Sequence, residues 1–291
     1  MTSPTAQRTR AILSVAGGAM IIGLAPVGMR LSELGPQATA FWRFTFALPA
    51  LALIVFLAKA QAPARSDVRL LAIAGACFAL DMALWHAALG LTTVANATLF
   101  SNMTPVLAAA AGFIFFRERI GVAWLVGASI AVIGAGLMSW SRAQGGQGTF
   151  SGDLLGMASA VWYAAYLLLL RGVRERVSAP MAMFVTTAAA ALVAAVATVM
   201  MGEPFVAPDM SAQGWLVLVV LGVFIHVGGQ GLIAHGLGQL PITLSTVLLW
   251  MQPVAAAVFG WLLFNEGLGA AGVVGAVMIL AGVYTVQRAR I

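Results

Sequence analysis

Apolar runs of bilayer-crossing length follow one another along almost the whole of this chain, and that leaves few folds open to it. A transmembrane helix needs about 20 mostly apolar residues. Ten such segments can be read, at 11–29, 37–58, 68–89, 94–116, 120–140, 153–171, 179–201, 213–238, 242–264 and 268–287. Backbone amides surrounded by lipid must be satisfied within the protein, so segments of this kind span as helices. The connections are only a few residues long, which leaves no room for a water-soluble domain. Composition agrees, with 62% of residues hydrophobic and 8% charged, against about 25% charged in soluble domains. The first segment follows Arg8 and Arg10 as a signal peptide would, but it runs straight into a second apolar segment and lacks a clear small-x-small cleavage site. It is read as the first transmembrane helix.

Positions 98–134 recur at 246–282, at a constant offset of 148 residues and with 15 of 37 positions identical. Shared Ala and Val carry little weight in apolar sequence. Pro105/Pro253 and Glu118/Glu266 carry more, as do Gly127/Gly275 and Gly134/Gly282. Leu89-Gly90 and Leu237-Gly238 extend the match upstream. The expected fold class is therefore an all-α integral membrane protein whose ten transmembrane helices form two inverted five-helix repeats, 11–140 (helices one to five) and 153–287 (helices six to ten). An odd number of helices per repeat sends the second half into the membrane upside down. Charge supports this independently. With the N-terminus inside, 12 basic residues fall in inner segments and only Arg30 and Arg142 in outer loops, as the positive-inside rule expects. Arg117-Glu118-Arg119 on the inside becomes Asn265-Glu266-Gly267 on the outside. Both termini and the 171–178 loop are expected in the cytoplasm, and the 141–152 and 202–212 loops in the periplasm. Inverted repeats place a substrate site near the bilayer midplane, at their interface.

Two short stretches stand out, Ala40-Phe41-Trp42-Arg43-Phe44 and Ala87-Ala88-Leu89-Gly90, with two longer runs. These are Thr104-Pro105 … Phe116-Arg117-Glu118-Arg119 … Gly127-Ala128 … Gly134, and Gln252-Pro253 … Phe264-Asn265-Glu266 … Gly275-Ala276 … Gly282. Through these residues the chain resembles the drug/metabolite transporter superfamily, with two EamA-type domains, over nearly its whole length. The second half departs from the pattern near Thr186-Thr187, where Arg43 has no basic counterpart. Among members, ten-helix bacterial exporters of amino acids, including aromatic ones, look closest. The resemblance implies a multi-pass protein of the bacterial inner membrane.

Ionisable groups inside a membrane helix are costly and are functional candidates by default. Arg43 and Asp81 qualify. At about 1.5 Å of rise per residue they lie roughly 9 Å and 12 Å below the outer ends of their helices, so a buried ion pair fits, either structural or acting on a substrate amine or proton. His226 lies near the middle of segment eight among Gly228, Gly229 and Gly231, with Gln230 one turn on. It reads as a ligand or proton group, or as a hydrogen-bonded core residue. Asn102 and Trp250 occupy matching repeat positions three residues before the shared proline, and Tyr163 is near the middle of segment six. Asn102, Tyr163, His226, Gln230 and Trp250 are the expected lining of a midplane cavity, with lipid-facing or core packing the plainer reading of the two aromatics. Pro26, Pro49, Pro105 and Pro253 interrupt helices, and the equivalent pair Pro105 and Pro253 are gating candidates or packing kinks. Glu118 and Glu266 are read as helix-end residues, and His86 and His235 as interfacial.

The expected function is secondary transport that exports small metabolites, foremost amino acids. Drug, nucleotide-sugar and cofactor permeases of the same fold stay open. An intramembrane enzyme would need clustered catalytic groups, and a channel would need rings of polar residues along a pore. The scattered single groups argue against the enzyme, and inverted repeats around a midplane site favour a carrier over the channel. No phosphate-binding loop motif occurs and the only lysine is Lys59, so ATP-driven pumping by this chain alone and lysine Schiff-base chemistry are excluded. No catalytic residue, cofactor or metal site is expected. Nor is nucleic acid, because the net charge of +6 sits in loops and termini rather than in a patch. A single cysteine, Cys77, permits no internal disulfide. The expected partners are a small-molecule substrate and the bilayer.

Overall fold

A computed structural model describes residues 4–91, 100–101, 103–117, 120–141, 149–264 and 269–288. Among these residues the secondary structure is helical, in ten apolar segments. Segment one is α1 (Pro4–Ile22) followed by α2 (Ala25–Leu31). Segments two to seven are α3 (Pro36–Leu57), α4 (Arg65–Leu91), α5 (Thr104–Phe115), α6 (Val122–Ser141), α7 (Phe150–Val173) and α8 (Ala179–Met200). Segment eight is α9 (Ala212–Val219), a π-helix π1 (Val220–Gln230) and α10 (Gly231–Leu237). Segment nine is α11 (Ile242–Leu248) and α12 (Met251–Phe264), and segment ten is α13 (Ala270–Arg288). Seven of the segments are long and apolar enough to cross a membrane, and the described parts of segments four, five and ten are shorter apolar helices. The chain is a multi-pass membrane protein.

Local sequence sets the helix ends. Ser211 and Thr149 cap α9 and α7, each accepting an N–H three residues on, at 3.0 and 3.2 Å, which satisfies amides the helix start leaves unpaired. The prolines behave differently from one another. Pro26 and Pro105 sit in the first turns of α2 and α5, and Pro253 is the third residue of α12. A missing N–H costs nothing there. Pro49 lies inside the continuous α3. Three segments read as single helices, 11–29, 213–238 and 242–264, are in fact interrupted. The breaks fall at Gly23-Leu24, through π1, and at Leu249-Trp250.

The duplication is built into the packing. Segments three and six pair as do eight and one, and segments three and seven as do eight and two, while two packs on seven and five on ten. In the pair α6·α13, a Cβ on Gly127 would lie 2.7 Å from the Gly282 carbonyl oxygen, and one on Gly134 would lie 2.6 Å from that of Gly275. A parallel pair would match Gly127 with Gly275. The crossed matching makes the two helices antiparallel, related by a two-fold axis perpendicular to them, which is the geometry of an inverted repeat. Close backbone approach through small residues is how lipid-embedded helices gain contact.

Segments two and seven, whose sequences show little kinship, are also equivalent, at an offset of 143. Lys59 (φ 48°) ends α3 and Gly202 (φ 66°) ends α8, both in the left-handed region. The bonds from Ala60 N–H to Val55 O and from Glu203 N–H to Thr198 O repeat at the same offset. A Cβ on Gly75 would strike the Thr186 carbonyl, and one on Gly222 would come 2.8 Å from the Arg43 carbonyl. Arg43 therefore corresponds to Thr186, and segments three and eight are offset by 147 at Gly75/Gly222. At Leu89/Leu237 the offset is 148. One extra residue lies between these points in segment eight, and π1 is where the backbone absorbs it.

Candidate functional site

The extra residue shapes the middle of segment eight. A π-helix bonds i to i+5, and such insertions recur at functional sites. Here the wider turn carries His226 and Gln230, both buried. His226 Nε2 shares a hydrogen bond of 2.9 Å with the Thr187 hydroxyl of α8. Its ring packs edge-on to Phe44 of α3 at 5.2 Å and stacks with Phe78 of α4 at 5.9 Å. Phe78 in turn stacks on Tyr166 at 4.8 Å and faces Tyr163 at 6.0 Å, both on α7. Tyr163 and Tyr166 stack at 5.8 Å. Helices α3, α4, α7 and π1 thus meet in a continuous aromatic wall.

Polar groups border that wall. Asp81 of α4 is half-buried and accepts the Ser159 hydroxyl of α7 at 2.5 Å. Ser159 Oγ lies 3.4 Å from Ser101 Oγ, and the Thr104 hydroxyl donates to the Ala160 carbonyl at 3.3 Å, which ties the start of α5 to α7. Arg43 is buried within electrostatic reach of Tyr163, Asp81 and Tyr166. It makes no salt bridge with Asp81. The Tyr163 hydroxyl faces Gln230 and Gln252. Four side-chain atoms around this centre, Arg43 Nε, His226 Nδ1, Gln230 Oε1 and Gln252 Nε2, are buried with no hydrogen-bond partner among the described residues. An unpaired buried polar atom costs about 1–3 kcal/mol, so this cluster holds hydrogen-bonding capacity that the described side chains leave unused.

Of the residues singled out in the sequence, Tyr163, His226 and Gln230 come together here, with Arg43 and Asp81 bordering them. Trp250 is fully buried in the main apolar core, at the break between α11 and α12. Asn102, Glu118 and Glu266 lie outside the described residues. Pro105 and Pro253 stand at equivalent repeat positions near the starts of α5 and α12, and α12 follows a break in its segment, a discontinuity that typically forms transporter sites. His86 is buried beside Trp85, while His235 is exposed and bonds Gln239 at 2.8 Å. Ser159, Thr187, Phe44, Phe78 and Gln252 do not stand out as site residues in the sequence. Only Gln252 carried a usable signal, since it and Thr104 both precede the shared proline as polar residues in apolar surroundings. Among the described residues no group of His, Cys, Asp or Glu has metal-binding geometry.

Comparison with known proteins places this arrangement. The model of the EamA-like transporter family matches residues 9–140 and again 150–287. The chain is similar to the pseudopaline exporter CntI of Pseudomonas aeruginosa, 25% identical over 243 residues that cover 82% of each protein. It is also similar to an uncharacterised transporter of Archaeoglobus fulgidus, 28% identical over 224 residues, or 77% of this chain and 78% of the relative. A crystal structure of a protein 21% identical superposes with a TM-score of 0.82 over 96% of this chain and 98% of the other, a likeness of fold. With both halves matched in turn, the chain belongs to the EamA-like transporter family.

Proposed function

We propose that this transporter exports small metabolites, foremost amino acids with apolar or aromatic side chains, by alternating access around the midplane cluster. One observation carries the reading. Arg43 and Asp81, opposite charges on the packed helices α3 and α4, form no salt bridge, and the Phe44 and Phe78 rings of the same two helices meet beside them. A zwitterionic amino acid complements that arrangement. Its carboxylate suits the guanidinium, its ammonium suits the Asp81 carboxylate, and its side chain suits the wall of Phe44, Phe78 and Tyr163. Export is supported by the name of the Pseudomonas relative. The test is counterflow of radiolabelled amino acids in proteoliposomes. Phenylalanine and leucine should exchange, whereas the matching amines and carboxylic acids should not. Equal exchange of the amine alone sinks the zwitterion reading.

The positive-inside distribution supports cytoplasmic termini in a bacterial inner membrane. Ala212 and Ser178 are both exposed, next to the starts of α9 and α8. In intact cells a cysteine at Ala212 should react with an impermeant maleimide, and one at Ser178 should not. The opposite pattern inverts the orientation.

A further inference from the structure

On the membrane face that carries the 31–36 and 202–211 turns, each half of the protein places a glutamate on a helix start of the other half. Glu33 accepts the Ser211 N–H at 2.8 Å and the Ser211 hydroxyl at 2.6 Å, at the head of α9. Glu203 accepts the N–H groups of Gln37 and Ala38 at 2.8 and 2.9 Å, in the first turn of α3. Both carboxylates satisfy amides that a helix start leaves unpaired, at the positive end of the helix dipole. The Ser211 hydroxyl and N–H hold the Glu33 carboxyl below the usual carboxylate range, so it is ionised at neutral pH. The fit is tight. A Cβ on Gly35 would lie 2.5 Å from the Glu203 carboxylate, and one on Gly214 would lie 2.5 Å from that of Glu33.

Beneath the carboxylates the same turns are sealed by aromatic rings. Trp42 Nε1 donates to the Phe205 carbonyl at 2.6 Å, Phe41 packs on Phe205 at 4.9 Å, and Trp42 packs on Trp215 at 5.1 Å. The pseudo-two-fold repeats the link on the opposite face in different chemistry. Glu33 corresponds to Arg176 at the 143 offset, and Gly214 to Asp67 at the 147 offset. The Arg176 guanidinium donates to Asp67 at 2.8 Å. Equivalent positions thus join the halves on both faces, by carboxylate on amide at one and by an ion pair at the other. A bundle that opens to its two sides in turn has to release these links one face at a time.

We propose that Glu33 and Glu203 form a reciprocal clasp between the two halves, which closes the bundle on their face and releases each time the midplane cluster opens to it. This rests on the alternating access proposed above, though not on the amino-acid substrate. Ala38 is fully buried under the clasp, so the test follows a cysteine placed there. Purified protein carrying C77A and A38C is reacted with a water-soluble maleimide, with and without E33A/E203A. Labelling should accelerate about tenfold or more in the alanine variant, the least expected from losing hydrogen bonds to charged groups. An unchanged rate in a well-folded E33A/E203A protein overturns the clasp.

A second arm stands if that variant fails to fold. E33C/S211C, bridged by a short bis-methanethiosulfonate, should lose counterflow and regain it on reduction. Full transport in the fully bridged protein overturns the proposal as well. If the reduced protein moves no amino acid at all, the substrate reading fails, and the clasp is still decided by the labelling arm, which needs no substrate.

Discussion

Gly282→Leu is expected to abolish folded protein, while Gly17→Ala leaves it intact or slightly stabilised. A Cβ at position 282 would press on the Gly127 carbonyl oxygen, and the Ala131 Cβ and backbone N would both lie 2.8 Å away. Backbone cannot step aside as the end of a flexible side chain can. Overpacking costs about 1–3 kcal/mol and occasionally more. A leucine wedged between two helix backbones belongs at or beyond the top of that range, out of a total stability of about 5–15 kcal/mol. A Cβ on Gly17 meets nothing within 4 Å, so the gain there is the helix propensity of Ala over Gly, about 0.8–1 kcal/mol. Monodisperse yield and melting temperature in detergent report both variants. A Gly282→Leu protein with wild-type yield and melting would show that α6 and α13 do not pack through these glycines.

The second large effect concerns the unpaired charges. Arg43→Gln and Asp81→Asn, made singly, should each lower folded yield and stop amino-acid counterflow. A charge inside a membrane helix costs about 2.5–3.5 kcal/mol, and taking away the opposite charge on the next helix leaves the survivor without that compensation. The double variant R43Q/D81N removes both charges. It should recover folded yield and still fail to transport. Recovered yield separates this pair from residues that only fill the core. A double variant that exchanges phenylalanine at the wild-type rate would make the two charges structural and end their role in recognition. Asp81 also loses part of its Ser159 contact in the asparagine variant, so Ser159→Ala serves as the control, with its effect expected to be the smaller of the two.

Much of the architecture was legible because membrane insertion imposes simple rules. Ten apolar runs with short connections, a repeat at constant offset and an asymmetric distribution of arginine determined an all-α, duplicated membrane protein. The family was legible in the stretch from the shared proline to the shared glycines. Arg43, Asp81, His226, Gln230 and Tyr163 stood out because polar groups are costly in that setting. Other features had no one-dimensional trace. The kinship of segments two and seven shows in their shared helix-ending geometry and in their equivalent packing, since lipid-facing positions exchange one apolar residue for another at little cost. The π-helix requires comparing two offsets, one of which appears only when Gly75 and Gly222 are seen against the opposite helices. Ser159, Thr187 and the aromatic wall belong to helices far apart in sequence, and no local spacing could join them.

The chain by itself therefore determined what spans the membrane, that it does so twice in opposite senses, and which polar residues must be enclosed. Hydropathy and charge act locally and are paid residue by residue. Tertiary structure alone decided that Arg43 and Asp81 remain out of contact, that Trp250 belongs to the packed core, and that Glu33 and Glu203 reach across the two halves. Those outcomes depend on which helix faces meet, and helices in lipid choose their neighbours by backbone approach and hydrogen bonding rather than by any gradient of hydrophobicity along the chain.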